Sequence, residues 1–510
     1  MPTENRTKLR LPTLTRLLLA GAATFLATTA AQAQTATLMP AMQDAAASNA
    51  APAGNFGDTS STFALRTGDT SATPDDRAAD TQTTTATAPV RPAAATSAAN
   101  AASPDTDMFG RMNFREPADN ARTGSIDNLR PRREDIDAPG IRVGSFIIRP
   151  SVGEGIGVEN TKYGSTSTTR SFLQTTGKAD IISDWALHQL SISATGVWQT
   201  NIGGSGETKP TASVDSKLRL DVDRLTIANL TAGYSFARES STDPNSIVGA
   251  TTQSGIHTFK GGADVTREFG KFRGTVAGTL TRNVYTAATL ADGSLMSMSD
   301  RNQTTAEGRI RLGYEISPAL IPFVEGSIGR AISDQTLDRN GYNRNANIYA
   351  AKAGVQLDFT EKLRGEVAAG YKQVRYFDAR LSKIDAFTVD GKVDWSPIRG
   401  TDVNLMLATG IDPSTTAGVS GSTYYTLSTA VSQQMIDNLV GTVGGATTFR
   451  HFAPTGVASD QTEWAATAGL TWSLSRYIEL AGTVAWNYTD VKTGTDTRSW
   501  SAIAELRVKR

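Results

Sequence analysis

The chain has 510 residues, an apolar share of 39%, an aromatic share of 7%, and 50 basic against 50 acidic residues. That balance excludes a polyanion-binding surface built on bulk charge, and the absence of cysteine excludes a disulfide scaffold or a thiolate metal site. Length allows two to four ordinary domains or one large β-barrel, while the apolar content is lean for a large soluble core.

The first 33 residues read as a secretory signal. Arg6, Lys8, Arg10 and Arg16 form a basic start, Leu17 to Ala27 ("LLLAGAATFLA") the apolar run, and Ala31-Gln32-Ala33 a small-x-small cleavage site. Its removal leaves 46 basic against 49 acidic residues, a net charge of −3. Beyond it no stretch approaches the ~20 apolar residues of a membrane-spanning helix. Residues 34–138 are rich in Ala, Thr and Pro, as in "ATAPVRPAAATSAANAASPD", with too little apolar surface to offset the entropy of ordering. They are expected to be a disordered periplasmic linker, whose charged "NLRPRREDIDAPG" leads into a folded part spanning 139–510.

From Gly140 onward apolar and polar residues alternate at period two, the signature of strands. In "KLRLDVD" Leu218, Leu220 and Val222 oppose Lys217, Arg219 and Asp221. In "EGRIRLGY" Gly308, Ile310, Leu312 and Tyr314 oppose Glu307, Arg309 and Arg311. "YAAKAGVQLDF" and "FTVDGKVDW" continue the pattern, with Lys352, Asp358, Asp390, Lys392 and Asp394 on their polar faces. About eighteen such runs are counted, with boundaries good to a few residues.

Connections alternate in length. Tight turns are expected at "SDWA", "DRL", "REFGK", "ISPAL", "TEK", "SPIRG", "MIDN" and "SLSRY". Between them fall longer polar loops, among them "NTKYGSTSTT", "TNIGGSGETKP", "ESSTDPNSIVGATTQS", "AATLADGSLMSMSDRN" and "SDQTLDRNGYNRN". Short turns at one rim and long loops at the other, on an even number of strands, is the layout of an outer-membrane barrel, with both ends of the barrel on the short-turn, periplasmic side. A β-sandwich also alternates, but its strands are shorter and its loops do not alternate in length.

Hydrocarbon leaves no backbone polar group without an internal partner, so a spanning sheet must close. The expected fold is therefore all-β, an antiparallel up-and-down transmembrane barrel of 16–18 strands. Arg or Lys facing lipid at the midplane costs about 2–4 kcal/mol, which assigns the charged faces to the lumen. The candidate lumen-lining residues are Lys217, Arg219, Asp221, Glu307, Arg309, Arg311, Lys352, Asp358, Arg364, Glu366, Asp390, Lys392 and Asp394, with Asp264, Arg273, Glu325 and Lys372 beside them. Their mixed sign points to a hydrated pore or a salt-bridge lattice rather than a single-sign selectivity ring. Candidate aromatic-girdle residues are Trp198, Tyr234, Tyr314, Tyr349, Phe359, Trp395, Trp464, Trp472, Trp486 and Trp500. Periodicity leaves three states of the lumen open: clear, constricted by a folded-in loop, or occupied by the N-terminal arm.

No chemistry stands out. His188, His257 and His451 are far apart and lack the spacing of a metal site or the neighbours of a nucleophilic triad. The "GGSG" at 203–206 lacks the lysine and following helix of a phosphate loop. No enzyme activity, cofactor, metal or nucleic-acid partner is expected.

The opening segment Ala138 to Thr161, "APGIRVGSFIIRPSVGEGIGVENT", resembles the entry strand of the putative β-barrel porin family 2, outer-membrane barrels of Gram-negative bacteria. The matching positions are Gly140, Ile141, Arg142, Gly144, Phe146 and Pro150. The resemblance implies a porin-like channel for passive diffusion or export of an unidentified solute, the alternatives being a non-conducting barrel that displays its loops or one associated with surface-polysaccharide export. It also implies contact with outer-membrane lipid and lipopolysaccharide and with the barrel-assembly machinery during biogenesis, and leaves the oligomeric state open. One departure is the ending "ELRVKR", where many such barrels end in an aromatic; Trp500 and Leu506 lie on the apolar face upstream.

Overall fold

The computed structural model describes residues 138–359, 362–453 and 458–510. The expected signal, and the expected linker except its last residue, lie outside them. Among the described residues there is no helix, and eighteen long antiparallel strands close into one barrel. In chain order these are β1 (Phe146–Tyr163), β2 (Thr166–Ser183), β3 (Gln189–Gly204), β4 (Thr211–Asp221), β5 (Thr226–Arg238) and β6 (Gly255–Phe269). Next come β7 (Phe272–Tyr285), β8 (Gln303–Tyr314), β9 (Leu320–Ser333), β10 (Ala346–Phe359), β11 (Leu363–Tyr376) and β12 (Ile384–Trp395). The last six are β13 (Thr401–Pro413), β14 (Gly421–Ile436), β15 (Leu439–Ala453), β16 (Gln461–Ser475), β17 (Ile478–Val491) and β18 (Thr497–Lys509).

Each strand pairs with its sequence neighbours. The barrel closes where β18 meets β1, in register from Ser151↔Lys509 to Tyr163↔Thr497. A short strand, Ile141–Val143, folds back on the start of β1. Stepping from pair to pair through all eighteen strands returns the path to β1 about 22 residues nearer the long-loop rim, which at about 3.3 Å rise and 4.8 Å strand spacing is a tilt of about 40°.

Two rims result. Turns such as Gly270-Lys271 and Asp437-Asn438 join strands at one, with Gly270 at φ 65° as a tight hairpin requires. Loops 239–254, 286–302 and 334–345 crown the other. The segment "NTKYGSTSTT" corrects the sequence reading. It is a continuous hairpin whose strands pair up to Tyr163↔Thr166 around Gly164-Ser165, with Gly164 at φ 57°. Asn160 Nδ2 donates to Thr169 Oγ1 at 2.7 Å and to Ser167 Oγ at 3.0 Å across it.

Side chains sort by parity. Along β8, Ile310 (65% exposed) and Leu312 face outward, whereas Arg309 and Arg311 (3% exposed) are buried inside. On β1 the inward positions Gly153, Gly155 and Gly157 leave space that neighbours fill: a Cβ on Gly157 would lie 2.5 Å from the ring of Phe172, and one on Gly153 2.1 Å from Glu505 Oε1.

Candidate functional site: the barrel interior and its mouth

Alternation brings the charged faces of successive strands to one inner wall, where opposite signs meet. Arg309 Nη1 reaches Glu325 Oε2 at 3.0 Å, Arg311 Nε reaches the same oxygen at 2.6 Å, and Arg311 forks onto Glu366 at 2.7 and 2.9 Å. Its guanidinium also lies 3.9 Å from the Phe323 ring centroid. Lys352 pairs with Asp390 at 2.5 Å, Arg364 with Asp358 at 3.5 Å, and Arg219 with Asp221 at 2.7 Å. Asn229 donates to Asp264 at 2.8 Å, and Arg273 pairs with Glu268 at 2.8 Å. Lys217 and Lys372 are buried on this wall, and Glu307, Lys392 and Asp394 are half-buried there.

Further ion pairs complete the lattice. Arg170 holds the buried Glu159 at 2.6 Å, and Lys209 takes its other oxygen. Arg507 bridges Glu505 at 2.8 Å and Glu479 at 3.6 Å. Confined charge is costly unless matched, and these contacts match it.

The candidate girdle residues lie on the outer face, whereas Phe172 and Phe323 are buried inside. Trp198, Tyr314, Tyr349, Phe359, Trp395, Trp472, Trp486 and Trp500 are all exposed. Tyr234 stacks on His257, which it meets at 3.0 Å, and Trp464 stacks on Tyr488 at 5.4 Å. Tyr314, Phe359 and Trp395 end their strands at the short-turn rim, whereas Trp198, Tyr349, Trp486 and Trp500 lie toward the long-loop rim. The three histidines stay separate: His188 accepts the Asp221 N–H at 3.3 Å, His257 sits among aromatics, and His451 meets Asp460 at 2.9 Å.

The mouth at the long-loop rim is laced together. Loop 205–210 meets loop 239–254 through the Gln253 N–H, which donates to Glu207 at 2.7 Å; burial raises the Glu207 carboxyl above its ordinary value, with that N–H and Arg238 pulling it back. Loop 239–254 is tied to loop 286–302 by the Glu239–Arg301 pair, in which Arg301 donates to both carboxylate oxygens at 2.8 and 2.5 Å and lies 4.4 Å from the Tyr285 ring. Burial opposes the charge on Arg301, but Glu239 outweighs it and holds the guanidinium above its ordinary value. A small sheet of Ala250–Thr252, Ala288–Leu290 and Leu295–Met296 joins the same two loops.

Arg339 of loop 334–345 then clasps Asp300, while Arg344 donates to the carbonyls of Val419 and Thr416 at 2.9 Å each. Asn245, at the centre of loop 239–254, donates to Pro413 O at 3.3 Å and accepts from the Thr415 N–H at 3.0 Å. Residue 245 lies between β5 and β6 and residue 415 between β13 and β14, so this contact spans the mouth between walls eight strands apart. Among the described residues, a folded-in loop therefore crosses the mouth, and the expected arm lies outside those residues. Sequence reasoning missed these loop residues, because their partners lie 39 to 170 positions away and no local period marks them.

The chain matches the model of the family described as "Putative beta-barrel porin 2" over residues 134–510. No curated protein matches. Among solved structures, Pseudomonas aeruginosa OccK2 (OpdF) is similar at 11% identity, covering 71% of this chain and 98% of that one, with a TM-score of 0.37. The outer membrane protein opdK of Pseudomonas aeruginosa shows 12% identity, 71% and 99% coverage and a TM-score of 0.34. Acinetobacter baumannii OccAB4 shows 12% identity, 71% and 98% coverage and a TM-score of 0.35. Likenesses this weak carry no inference about solute.

Proposed function

The chain belongs to the Putative beta-barrel porin 2 family, and from that premise we propose that it is an outer-membrane channel through which a small solute passes by diffusion or export. The observation that carries this reading is the opposition of the two faces. The outer face presents Val152, Ile156, Ile310, Val324 and Val443, each more than half exposed, and the inner face presents the charged lattice of Arg309, Arg311, Glu325 and Glu366. A closed sheet with that polarity is stable with hydrocarbon outside and water inside. The exposed tryptophans and tyrosines near both rims suit the two membrane interfaces. The short-turn rim, where β1 begins and β18 ends, would then face the periplasm.

A second reading, a non-conducting barrel that displays its loops, is favoured by one observation, the Asn245 contact across the mouth. Planar-bilayer recording separates the two. The full chain, and a chain lacking residues 34–138, are inserted and held at graded voltages. Stepwise conductance from either supports the channel, and a flat trace from both leaves the display barrel.

A further inference from the structure

The barrel wall is not laddered over its full height. Between β12 and β13 the paired residues run only from Trp395↔Val403 to Gly391↔Leu407. On their other sides β12 stays paired with β11 up to Val374↔Ile384, and β13 with β14 up to Pro413↔Gly421. The upper halves, Ile384–Asp390 and Ala408–Pro413, thus each keep one neighbour and have parted from one another.

Side chains occupy the gap. The Val389 N–H donates to Thr409 Oγ1 at 2.8 Å, and that hydroxyl donates to the Val389 carbonyl at 2.9 Å. The Thr409 N–H donates to Asp390 Oδ1 at 3.0 Å. Reaching past β13 altogether, the Tyr425 hydroxyl of β14 donates to the Phe387 carbonyl of β12 at 2.8 Å. Backbone groups that a regular ladder would satisfy are served by three side chains.

Ile411 shows which way β13 has moved. Period two from Leu405 and Leu407 assigns it to the outer face, yet it is only 1% exposed and packs with Ile384, Ala386, Ile348 and Val374, inward-facing residues of β12, β10 and β11. The upper half of β13 has swung inward over an apolar patch of the inner wall, in contrast to the charged lattice below. Outside the gap stand Phe387 and Tyr371, paired across β11 and β12 and both exposed, at the level of the upper aromatics. Above it the mouth is bridged by loop 414–420, which Arg344 holds.

We propose that the β12–β13 seam is a lateral port, through which an amphiphile with a single acyl-like tail and a polar head moves between the barrel interior and the outer leaflet. The proposal rests on the channel reading and adds its substrate class. Separating the two upper halves breaks side-chain bonds and the packing of Ile411 on Ile384 and Ala386, but no strand ladder, so this is a stretch of wall with no backbone pairs to lose on opening. The apolar patch offers a tail a surface that a fully hydrated solute would not use, and the polar head has the lattice. Axial exit is crossed by loops, whereas the seam lies at the depth of the aromatic belt.

The full chain has no native cysteine, which allows clean labelling. Phe387→Cys with Tyr425→Cys carries a spin-label pair across the seam, and Val393→Cys with Leu405→Cys carries a control pair on the laddered stretch, both in liposomes. Dodecanoate is expected to lengthen the first distance by about one strand spacing, 4.8 Å, and to leave the control unchanged. Joining the first pair with a bismaleimide should cut photolabelling of Ile348 and Ile384 by a diazirine-bearing dodecanoate about fivefold. An unmoved seam distance with a folded control pair overturns the port, as does photolabelling that the cross-link leaves intact. Bilayer conductance recorded on the same samples fails or persists independently, so loss of the channel reading is told apart from loss of the port.

Discussion

Trp464 and Trp472 stand on one strand with small residues between them, and parity puts Ala466, Ala468 and Leu470 on their face. In β16 Ala468 is exposed on the outside, and Thr467 is half-buried on the inside beside Gly444. Eight residues at about 3.3 Å, tilted about 40°, cover roughly 20 Å of height, close to the separation of the membrane interfaces. Ala468→Arg should therefore cost about 2–4 kcal/mol in reversible urea unfolding from lipid vesicles, and Thr467→Arg much less. Equal costs would place this face away from lipid. Here sequence and structure agree because a single rule, period two, decides everything. The glycines of "GEGIG" were not legible in that way. Alternation marks Gly153, Gly155 and Gly157 as one face, but only the fold shows Phe172 lying over Gly157. Gly157→Val is expected to destabilise by about 1–3 kcal/mol through overpacking, measured by the same unfolding assay, and Phe172→Leu in the same chain should recover part of the loss.

At the scale of strands, β8 is the clearest case. Its faces are readable from "EGRIRLGY", but the partners of Arg311 are not, since Glu325 is on β9 and Glu366 on β11, three strands along. Arg311→Met removes the cation that bridges both carboxylates and should cost about 3–5 kcal/mol in equilibrium unfolding, the expected size for breaking a buried pair from one side. Adding Glu366→Gln, which leaves Glu325 to Arg309, should restore part of it, and failure of that rescue would show that packing on Phe323 is what Arg311 supplies. Two elements defeated the period-two rule for physical reasons. The first hairpin extends to Tyr163 and Thr166 with Thr, Ser, Asn and Lys on both faces, so no apolar alternation distinguishes strand from loop. In β13 alternation is present, but the upper half leaves the wall, and Ile411 ends up inside.

For the molecule as a whole, the strand count and the division into a short-turn and a long-loop rim were legible because loop length alternates along the chain, whereas the mouth was not, because its bonds join loops on opposite walls. Asn245 and Thr415 are 170 positions apart, and nothing local predicts their meeting. If a channel runs along the barrel axis, these loops lie across its mouth and are expected to narrow it there. Replacing residues 240–253 with a short Gly-Ser linker removes Asn245 and Gln253 and leaves Glu239 to Arg301. The strands keep their register, because β5 and β6 are paired along their lengths independently of the loop, from Thr226↔Arg267 to Arg238↔Gly255. The expected outcome in planar bilayers is a larger unitary conductance with weaker discrimination between small and large ions, and little change in the unfolding midpoint. A conductance equal to that of the full chain would mean that ions do not pass beneath this loop. Together with an unchanged seam, that result would move the narrowest section down to the Arg309–Glu325–Arg311–Glu366 lattice. There Arg311→Met, rather than loop removal, would be the substitution that alters ion selectivity.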